Sequence, residues 1–371
     1  MKFVIDGRHI DGKKTGLSRY ISLLTIELSK LVGSELVIVS NKSVVLDTKQ
    51  LANKPEIYID KSIWRKLPGS LWLAFRLPYL LRQMNCNYFL GTQHILPYFK
   101  PKNIRYGLIM HDLVYVYYPE TMTKWNRFIS SILIPHSLQI ADVIYTVSKS
   151  TKQSIKEIYP YLHQPIKVTY PGFSFDNSVE ANTNTNTNTN TNTNTNTGTA
   201  ATRYLCVGSI EPRKNLNRLL DVYESMLSKK PDISLTLVSG ATWSSNEIAS
   251  KIVSLGKNLT VYENISDKEL RALYRTSDTL IFPSVYEGFG LPILESIGNC
   301  NVIANDIPVF RELDKKIDGI SLIDFSNSTE LVADFILNCP SNMQARLKEG
   351  ASLSDFSWEN NAHIVYSGLV A

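Results

Sequence analysis

Short apolar strands alternate with amphipathic helices along both halves of this 371-residue chain, and this alternation limits its possible folds more than any other feature. Such alternation is typical of parallel sheets whose crossover helices cover both faces. A chain of this length also exceeds one typical hydrophobic core. The sequence therefore predicts an α/β protein with two Rossmann-like, doubly wound parallel-sheet domains.

The predicted strands share a short apolar run bounded by polar or turn residues. They are Phe3–Ile5, Leu36–Val39, Ile57–Ile59, Tyr88–Leu90, Gly107–Met110, Val143–Thr146, Tyr204–Val207, Leu235–Val238, Thr260–Tyr262, Thr279–Phe282, Asn301–Ala304 and Ile320–Ile323. Helices are predicted at about residues 18–31, 70–83, 124–140, 149–158, 215–229, 245–255, 267–275 and 292–298. Because ligands of such sheets bind beyond the C-terminal strand ends, we expect the active site in the cleft between the two domains.

Eight Asn-Thr dipeptides occupy residues 182–197, between the two halves of the chain. The tract has no apolar residue to bury, so we expect it to be disordered. We therefore divide the chain into a first domain at 1–175, a linker at 176–201, a second domain at 202–355 and a terminal helix at 356–371.

The charge is distributed unevenly. Residues 1–175 carry 23 Lys and Arg against 11 Asp and Glu, a net +12, whereas residues 176–371 carry 16 against 23, a net −7. A basic half indicates an anionic partner, which could be nucleic acid, phospholipid headgroups or a phosphorylated substrate. The segment from Lys61 to Arg82 mixes Trp, Leu and Arg as an interfacial membrane segment does. A core helix with a few surface cations explains that segment almost as well.

Composition narrows the class of protein further. Hydrophobic residues make up 43% and charged residues 20% of the chain, as in a globular protein in water. Cys86, Cys206, Cys300 and Cys339 lack metal-ligand spacing and indicate reduced thiols in the cytosol. The N-terminus shows no signal-peptide pattern, and no apolar run is long enough to span a bilayer.

Residues 287–295 read Glu-Gly-Phe-Gly-Leu-Pro-Ile-Leu-Glu and follow the strand Thr279–Phe282. Gly288 and Gly290 leave backbone N–H groups ahead of a helix that starts near Pro292, which favours a bound diphosphate. Glu287 in the loop and Glu295 in the first helical turn are candidate acceptors for sugar hydroxyls. A diphosphate flanked by polyols describes a nucleotide-sugar, although an ordinary strand–turn–helix with two solvated glutamates is the alternative.

Two cations lie at the end of another predicted strand. Arg213 and Lys214 come after Tyr204–Val207 and before a helix that begins near Leu216. Cations in that position would neutralise a diphosphate. The alternative is an exposed pair in a helix-capping turn.

The nonapeptide resembles the Glu-x7-Glu signature of retaining glycosyltransferases of family four, and residues 211–215 resemble the Glu-Pro-Arg-Lys-Asn element of that family. The resemblance implies the GT-B fold, in which two Rossmann-like domains face each other across a cleft. It also implies a catalytic role for Glu287 on the transferred sugar and ribose binding by Glu295. It further implies that the following residues bind the diphosphate of the donor: Arg213, Lys214, Gly288, Phe289, Gly290 and Leu291. Many relatives have Gly-Arg where this chain has Gly208-Ser209, so one phosphate-binding arginine is absent.

Three further segments resemble elements of the same family. Residues 16–20 are similar to its Gly-x-x-Arg-Tyr element, which implies that Gly16 approaches the donor diphosphate, unless the segment is only a flexible surface loop. His111-Asp112 is similar to its His-Asp pair, which implies that His111 is catalytic and contacts the reacting sugar. Asp112 and Ser148 are then candidate acceptor or donor contacts, although a helix N-cap also accounts for Ser148. Trp358 resembles the start of the terminal helix that crosses back to the first domain.

The resemblance implies a retaining transferase that moves a hexose from a nucleotide diphosphate sugar, and we expect mannose from GDP-mannose. The first domain would bind the acceptor, a polyprenyl-diphosphate-linked oligosaccharide of O-antigen or capsule synthesis, and the second domain the nucleotide-sugar. We expect a cytoplasmic enzyme held peripherally on the anionic inner face of the cytoplasmic membrane. Because no Asp-x-Asp motif lies between the strands, we expect no metal and no other cofactor.

Three other functions remain open from the sequence. A nucleotide-sugar epimerase of GT-B fold would need its own acid and base groups near the anomeric carbon. A non-catalytic binder of sugar nucleotides or polysaccharide would bind without turnover. Nucleic-acid binding is suggested by the basic half, but the chain carries no recognised motif for it, and we predict no nucleic-acid partner.

Overall fold

The computed structural model describes residues 1–12, 15–47, 51, 53–173, 202–240, 246–340 and 344–371. The chain divides into two compact units. The first contains Met1–Gly172, Glu287–Phe289 and Ser352–Ala371, and the second contains Phe173–Tyr286 and Gly290–Ala351. The short segment 287–289 thus groups with the first unit. The Asn-Thr tract, with its predicted disorder, lies outside the described residues.

In the described part of the first unit, seven strands form one parallel sheet with the order β3-β2-β1-β4-β5-β6-β7. The strand order reverses between β1 and β4. The strands are β1 Lys2–Asp6, β2 Leu36–Ser40, β3 Glu56–Ile59, β4 Cys86–Gly91, β5 Arg105–Met110, β6 Val143–Thr146 and β7 Ile166–Val168.

Helices cover this sheet, and several begin at capping side chains. They are α1 Gly16–Val32, α2 Gly69–Leu71, α3 Leu77–Gln83, α4 Val114–Tyr117, α5 Lys124–Ile140, α6 Lys149–Ile158 and, after the second unit, α13 Trp358–Val370. The Thr15 hydroxyl accepts a hydrogen bond from Ser18 N at 3.1 Å and starts α1. Gly16 is therefore the first residue of a helix, which starts two residues before the predicted start at about residue 18.

The predicted helix at 70–83 is three joined pieces, α2, a π-helical turn at Trp72–Arg76, and α3. Trp72 is fully buried and donates from Nε1 to Asp60 Oδ2 at 2.8 Å. Arg76 pairs with the same carboxylate at 3.4 Å. The interpretation of this stretch as an interfacial membrane segment is therefore wrong for Trp72 and Arg76, because a buried carboxylate draws both polar groups inward.

In the described part of the second unit, six strands form a parallel sheet with the order β10-β9-β8-β11-β12-β14. These strands are β8 Thr202–Val207, β9 Ile233–Ser239, β10 Leu259–Glu263, β11 Thr279–Phe282, β12 Asn301–Asn305 and β14 Ile320–Ile323. Two short strands, β13 Ile317–Asp318 and β15 Arg346–Leu347, pair antiparallel beside it. The order of the main sheet reverses between β8 and β11, as in a nucleotide-binding doubly wound sheet.

The helices of the second unit follow its strands. They are α7 Leu216–Lys229, α8 Asn246–Leu255, α9 Asp267–Thr276, α10 Leu291–Ser296, α11 Pro308–Asp314 and α12 Thr329–Asn338. Helix α10 has six residues and begins at Leu291. Glu295 is its fifth residue and therefore lies just beyond the first turn, whereas the sequence predicted it within the first turn. The helix ends early because Ile297 leaves the helical region and Gly298 has a positive φ of 78°.

The predicted fold class, two doubly wound parallel sheets flanked by helices, is confirmed. All twelve predicted strands are present. Among the described residues, no helix is long and apolar enough to cross a membrane.

Candidate functional site

A solvent-open pocket lies in the second unit at the C-terminal ends of three neighbouring strands, β8, β9 and β11. Its walls come from residues 206–210, 237–239 and 282–284, together with Lys214 and Leu216. The pocket includes the point where the strand order reverses, between β8 and β11. Doubly wound sheets bind their ligands at this point, because the loops on either side of it run in opposite directions and leave a crevice.

Lys214 brings a positive charge to this pocket. It ends a 3₁₀ turn, Pro212–Lys214, that is tied by a backbone hydrogen bond from Val285 N to Arg213 O at 2.9 Å. The Lys214 ammonium lies 5.4 Å from the centre of the Phe282 ring at the end of β11. The turn after β8 and the loop after β11 are therefore joined, and both contribute to the position of the Lys214 ammonium in the pocket wall.

Arg213 takes a different position from its neighbour. Its guanidinium donates to Glu211 Oε2 at 2.7 Å and to Tyr286 O at 3.4 Å, and 14% of its side chain is exposed. Burial raises the pKa of the Glu211 carboxyl, but the charges of Arg213 and Lys214 and hydrogen bonds from Arg213 and Ser209 together outweigh it and hold that pKa below the usual range. Of the two cations predicted to bind a diphosphate, Lys214 lines the pocket and Arg213 is engaged with Glu211.

Ser284 is a pocket residue that the sequence analysis missed. Its side chain is fully buried, and its hydroxyl has no hydrogen-bond partner among the described residues. An unpaired buried hydroxyl is costly, so a ligand oxygen that reached it would be favoured. Its position two residues beyond a predicted strand was the signal that could have identified it.

Glu295 lies in α10 with 3% of its surface exposed. Its Oε2 accepts a hydrogen bond from the Tyr274 hydroxyl at 3.0 Å. Gly290, at the start of the same helix, has a φ of 104°, and an added Cβ would lie 2.9 Å from the Phe310 ring. Only glycine fits this turn, and it directs the chain from β11 into α10, of which Leu291 is the first residue.

The first unit contains a second group of predicted residues, around His111 at the end of β5. The His111 ring lies edge-on to Tyr20, with ring centres 4.8 Å apart, and Tyr20 in turn packs edge-on against Trp358 at 5.1 Å. Tyr20 also hydrogen-bonds Asn361 of α13. The Gly16–Tyr20 element, the His-Asp pair and the terminal helix therefore meet in one place.

The hydrogen bond made by the His111 ring assigns its tautomer. Nε2 lies 2.8 Å from Thr92 O, and a carbonyl oxygen can only accept, so Nε2 carries the proton. Burial lowers the pKa of His111 to about 4, so the ring is neutral at pH 7. In this form Nδ1 is the acceptor of the ring, and it suits a hydrogen bond from a substrate hydroxyl.

Gly288 packs against the loop that contains His111. An added Cβ at Gly288 would overlap His111 O and lie 3.3 Å from Asp112 Cβ. The Thr151 hydroxyl lies 3.3 Å from Gly288 O and donates a hydrogen bond to it. A side chain at position 288 would thus push apart the two segments that carry Glu287 and His111.

The remaining predicted residues have identifiable local roles. Ser148 is fully buried and caps α6, accepting from Thr151 N at 3.0 Å, so the N-cap interpretation applies to it. Asp112 accepts from Val114 N at 3.2 Å at the start of α4. Glu287 is half-buried, and Phe289 packs near Tyr170 with ring centres 6.0 Å apart.

The structure thus places the predicted residues in two groups, one in each unit. His111, Asp112, Ser148 and Gly288 meet in the first unit, whereas Lys214 lines the pocket of the second. The other predicted residues of the second unit lie outside the pocket lining; they are Arg213, Gly290, Leu291 and Glu295. The sequence analysis missed Thr92 and His94, which contact His111 from the end of β4. Both residues follow β4, which pairs with β5, and this position at a strand end is the sequence feature that could have identified them.

Comparison with known proteins finds a family match in the second half of the chain. Residues 192–352 match the family model for glycosyl transferases group 1. The chain is 27% identical over 247 residues to O-antigen chain mannosyltransferase RfbU of Salmonella typhimurium, an alignment that covers 66% of this chain and 62% of that protein. It is 24% identical to O-antigen chain mannosyltransferase B of Escherichia coli, with 97% of each chain covered.

A solved structure supports the architecture of the whole chain. Sucrose-phosphate synthase from Thermosynechococcus elongatus superposes with a TM-score of 0.66 at 15% identity, covering 100% of this chain and 95% of that one. At this identity the likeness concerns the fold alone. The chain therefore has the GT-B fold, and its residues 192–352 are similar to glycosyl transferases group 1.

Proposed function

We propose that this protein is a retaining glycosyltransferase that transfers mannose from GDP-mannose to a lipid-linked oligosaccharide in O-antigen synthesis. The observation that carries the proposal is the pocket of the second unit, which lies at the strand-order reversal, contains Lys214 and falls within the segment that matches the group 1 family. The names of two relatives, both O-antigen chain mannosyltransferases, support the choice of sugar and product.

In this proposal Lys214 stabilises the departing diphosphate. Its charge would lie where negative charge develops as the bond between sugar and phosphate breaks. The hydroxyl of Ser284 would contact the bound nucleotide, and Glu295 would bind the ribose. Because Lys214 supplies positive charge and the sequence lacks an Asp-x-Asp motif, we propose that no metal is required.

The first unit would contact the acceptor and the transferred sugar. Neutral His111 offers Nδ1 as a hydrogen-bond acceptor to a sugar hydroxyl. We propose a retaining route in which the departing diphosphate helps to deprotonate the acceptor hydroxyl, so that the protein need not supply a nucleophile. Glu287 is then proposed to contact the transferred sugar.

An exposed aromatic face on α5 supports a membrane-bound acceptor. Trp125, Phe128 and Ile132 are 50%, 58% and 46% exposed and lie three and four residues apart, on one side of the helix. Lys124 and Arg127 lie on the same exposed stretch. Aromatic and basic side chains together are typical of helices that bind the interface of an anionic bilayer, so we propose that this face contacts the inner surface of the cytoplasmic membrane.

The donor is tested first, by calorimetry with GDP-mannose, UDP-glucose and a dTDP-sugar. We expect GDP-mannose to bind and the other two to bind more weakly. Transfer to a lipid-linked acceptor should persist in EDTA, and NMR of the product should show the anomeric configuration of the donor. A product of opposite configuration would refute the retaining mechanism, and preferential binding of a UDP-sugar would refute the donor assignment.

The membrane surface is tested separately by sedimentation with lipid vesicles. We expect binding to vesicles that contain phosphatidylglycerol and weaker binding when Trp125 and Phe128 are both replaced by serine. Tyr262→Ser, at an aromatic residue of the second unit that is 41% exposed, is the matched control. Equal binding by the double variant and wild type would exclude this face of α5 as the contact.

A further inference from the structure

Two histidines from neighbouring strands are hydrogen-bonded to each other in the first unit. His94 follows β4, His111 follows β5, and these two strands are paired. The backbone N–H of His111 donates to His94 Nε2 at 3.1 Å. The backbone N–H of His94 donates in turn to Ile109 O at 3.1 Å, so each histidine is bound to the segment that carries the other.

This geometry requires a single tautomer of His94. A backbone N–H can only donate, so Nε2 of His94 must be unprotonated, and in the neutral ring the proton is on Nδ1. His111 has the opposite tautomer, with its proton on Nε2 and directed to Thr92 O. Residues 92 and 94 thus hold the ring and the backbone of His111 from the same short segment.

The surroundings favour the neutral form of both rings. Burial lowers the pKa of His94, and the charge of Asp112 opposes that effect. Burial also lowers the pKa of His111, as do His94 and His9, whereas the Thr92 carbonyl and Asp112 raise it. Protonation of His94 would place a donor against the His111 N–H and remove the hydrogen bond.

The backbone of His94 adds a second constraint. Its φ is +52°, in the left-handed region that few non-glycine residues adopt, with histidine, asparagine and aspartate the commonest among them. A non-glycine residue held in this region costs backbone strain, and here the same residue accepts a hydrogen bond from the backbone N–H of the neighbouring strand end.

We propose that His94 is a positioning residue for His111, and that its neutral Nε2 holds His111 so that Nδ1 of His111 faces the substrate. The proposal rests on the proposed role of His111 as a contact of the transferred sugar. The hydrogen bond itself can be tested without that role, by a measurement on the free protein.

Two variants separate the acceptor atom from the backbone strain. His94→Gly permits the positive φ but removes the acceptor. His94→Gln restores an acceptor at about the reach of Nε2 but cannot titrate near neutral pH. His163→Gln, at an exposed histidine of the same unit, is the matched control.

Histidine NMR on the free wild-type protein at pH 7 should show His94 protonated on Nδ1 and His111 protonated on Nε2. The His111 amide proton should shift upfield and exchange faster in His94→Gly, and both effects should reverse in His94→Gln. A His94 ring protonated on Nε2, or an unchanged His111 amide in His94→Gly, would overturn the proposal even if the protein had no transferase activity.

A second experiment measures the rate of sugar transfer by the same variants. We expect His94→Gly to lower kcat by roughly tenfold, as loss of one hydrogen bond does, and to leave the affinity for GDP unchanged. His94→Gln should retain most of the wild-type kcat, and the acid limb of its pH–rate profile should differ from that of the wild type. A folded His94→Gly variant with wild-type kcat would contradict the positioning role, whereas an inactive wild-type protein would contradict the proposed function instead.

Discussion

Replacing Lys214 by methionine removes the ammonium of the pocket wall and keeps the length of an unbranched side chain. A hydrogen bond to a charged group contributes about 1.5–3 kcal/mol, which corresponds to a loss of about 10- to 150-fold in affinity for GDP. The contact with the Phe282 ring, 5.4 Å away, contributes about 0.5–1 kcal/mol, so its loss alone should not unfold the protein.

Calorimetry with GDP and with guanosine separates the phosphate contribution from that of the base and ribose. We expect Lys214→Met to weaken GDP binding and to leave guanosine binding unchanged. Lys257→Met, at an exposed lysine of the same unit, should change neither.

Arg213→Met extends the comparison to the neighbouring cation. Because Arg213 is paired with Glu211, this variant should lose less GDP affinity than Lys214→Met and more of its free energy of unfolding. An equal loss for GDP and guanosine in Lys214→Met, or a greater loss of GDP affinity in Arg213→Met, would refute the assignment of Lys214 to the diphosphate.

Three further changes test the structure of the first unit. Asp6→Asn should lower the free energy of unfolding by about 3–5 kcal/mol in urea titrations, because it leaves the buried Arg8 guanidinium without its carboxylate, whereas exposed Asp232→Asn should have little effect. In Gly288→Ala the added Cβ would overlap His111 O, and such overpacking lowers the free energy of unfolding by about 1–3 kcal/mol. The melting temperature should therefore fall, and an unchanged melting temperature would contradict that packing. The pKa of His111 is about 4 in the folded protein against 6.5 for a free histidine, so the unfolded state binds more protons between these values. Stability should therefore fall as the pH drops from about 6.5 to 4, and His111→Gln should reduce that dependence in urea titrations at both pH values.

Much of the fold could be predicted because its signals are local. The predicted helices 124–140 and 149–158 match α5 and α6, which begin after the capping residues Thr123 and Ser148. Strand β7 was missed because its three residues are all half-buried and form no clear apolar run. Helix α11 was missed although Pro308 opens it, since its seven residues span only two turns.

The predicted site was only partly resolved by sequence. The motifs indicated the correct strand ends, because parallel strands bring their C-terminal ends to one edge of a sheet. They did not distinguish Arg213 from Lys214, which are adjacent in the chain. That distinction depends on Glu211, which pairs with Arg213, and on the ring of Phe282, 68 positions beyond Lys214 in the chain.

The sequence by itself determined the class of fold, because strand and helix periodicity and capping depend on residues a few positions apart. The tertiary structure alone decided which polar groups are buried together. Trp72 turns toward Asp60, and the His111 N–H reaches His94 across two paired strands. The His94 contact depends on strand order and register, which bring distant residues within hydrogen-bond distance, and no local pattern in the chain encodes either contact.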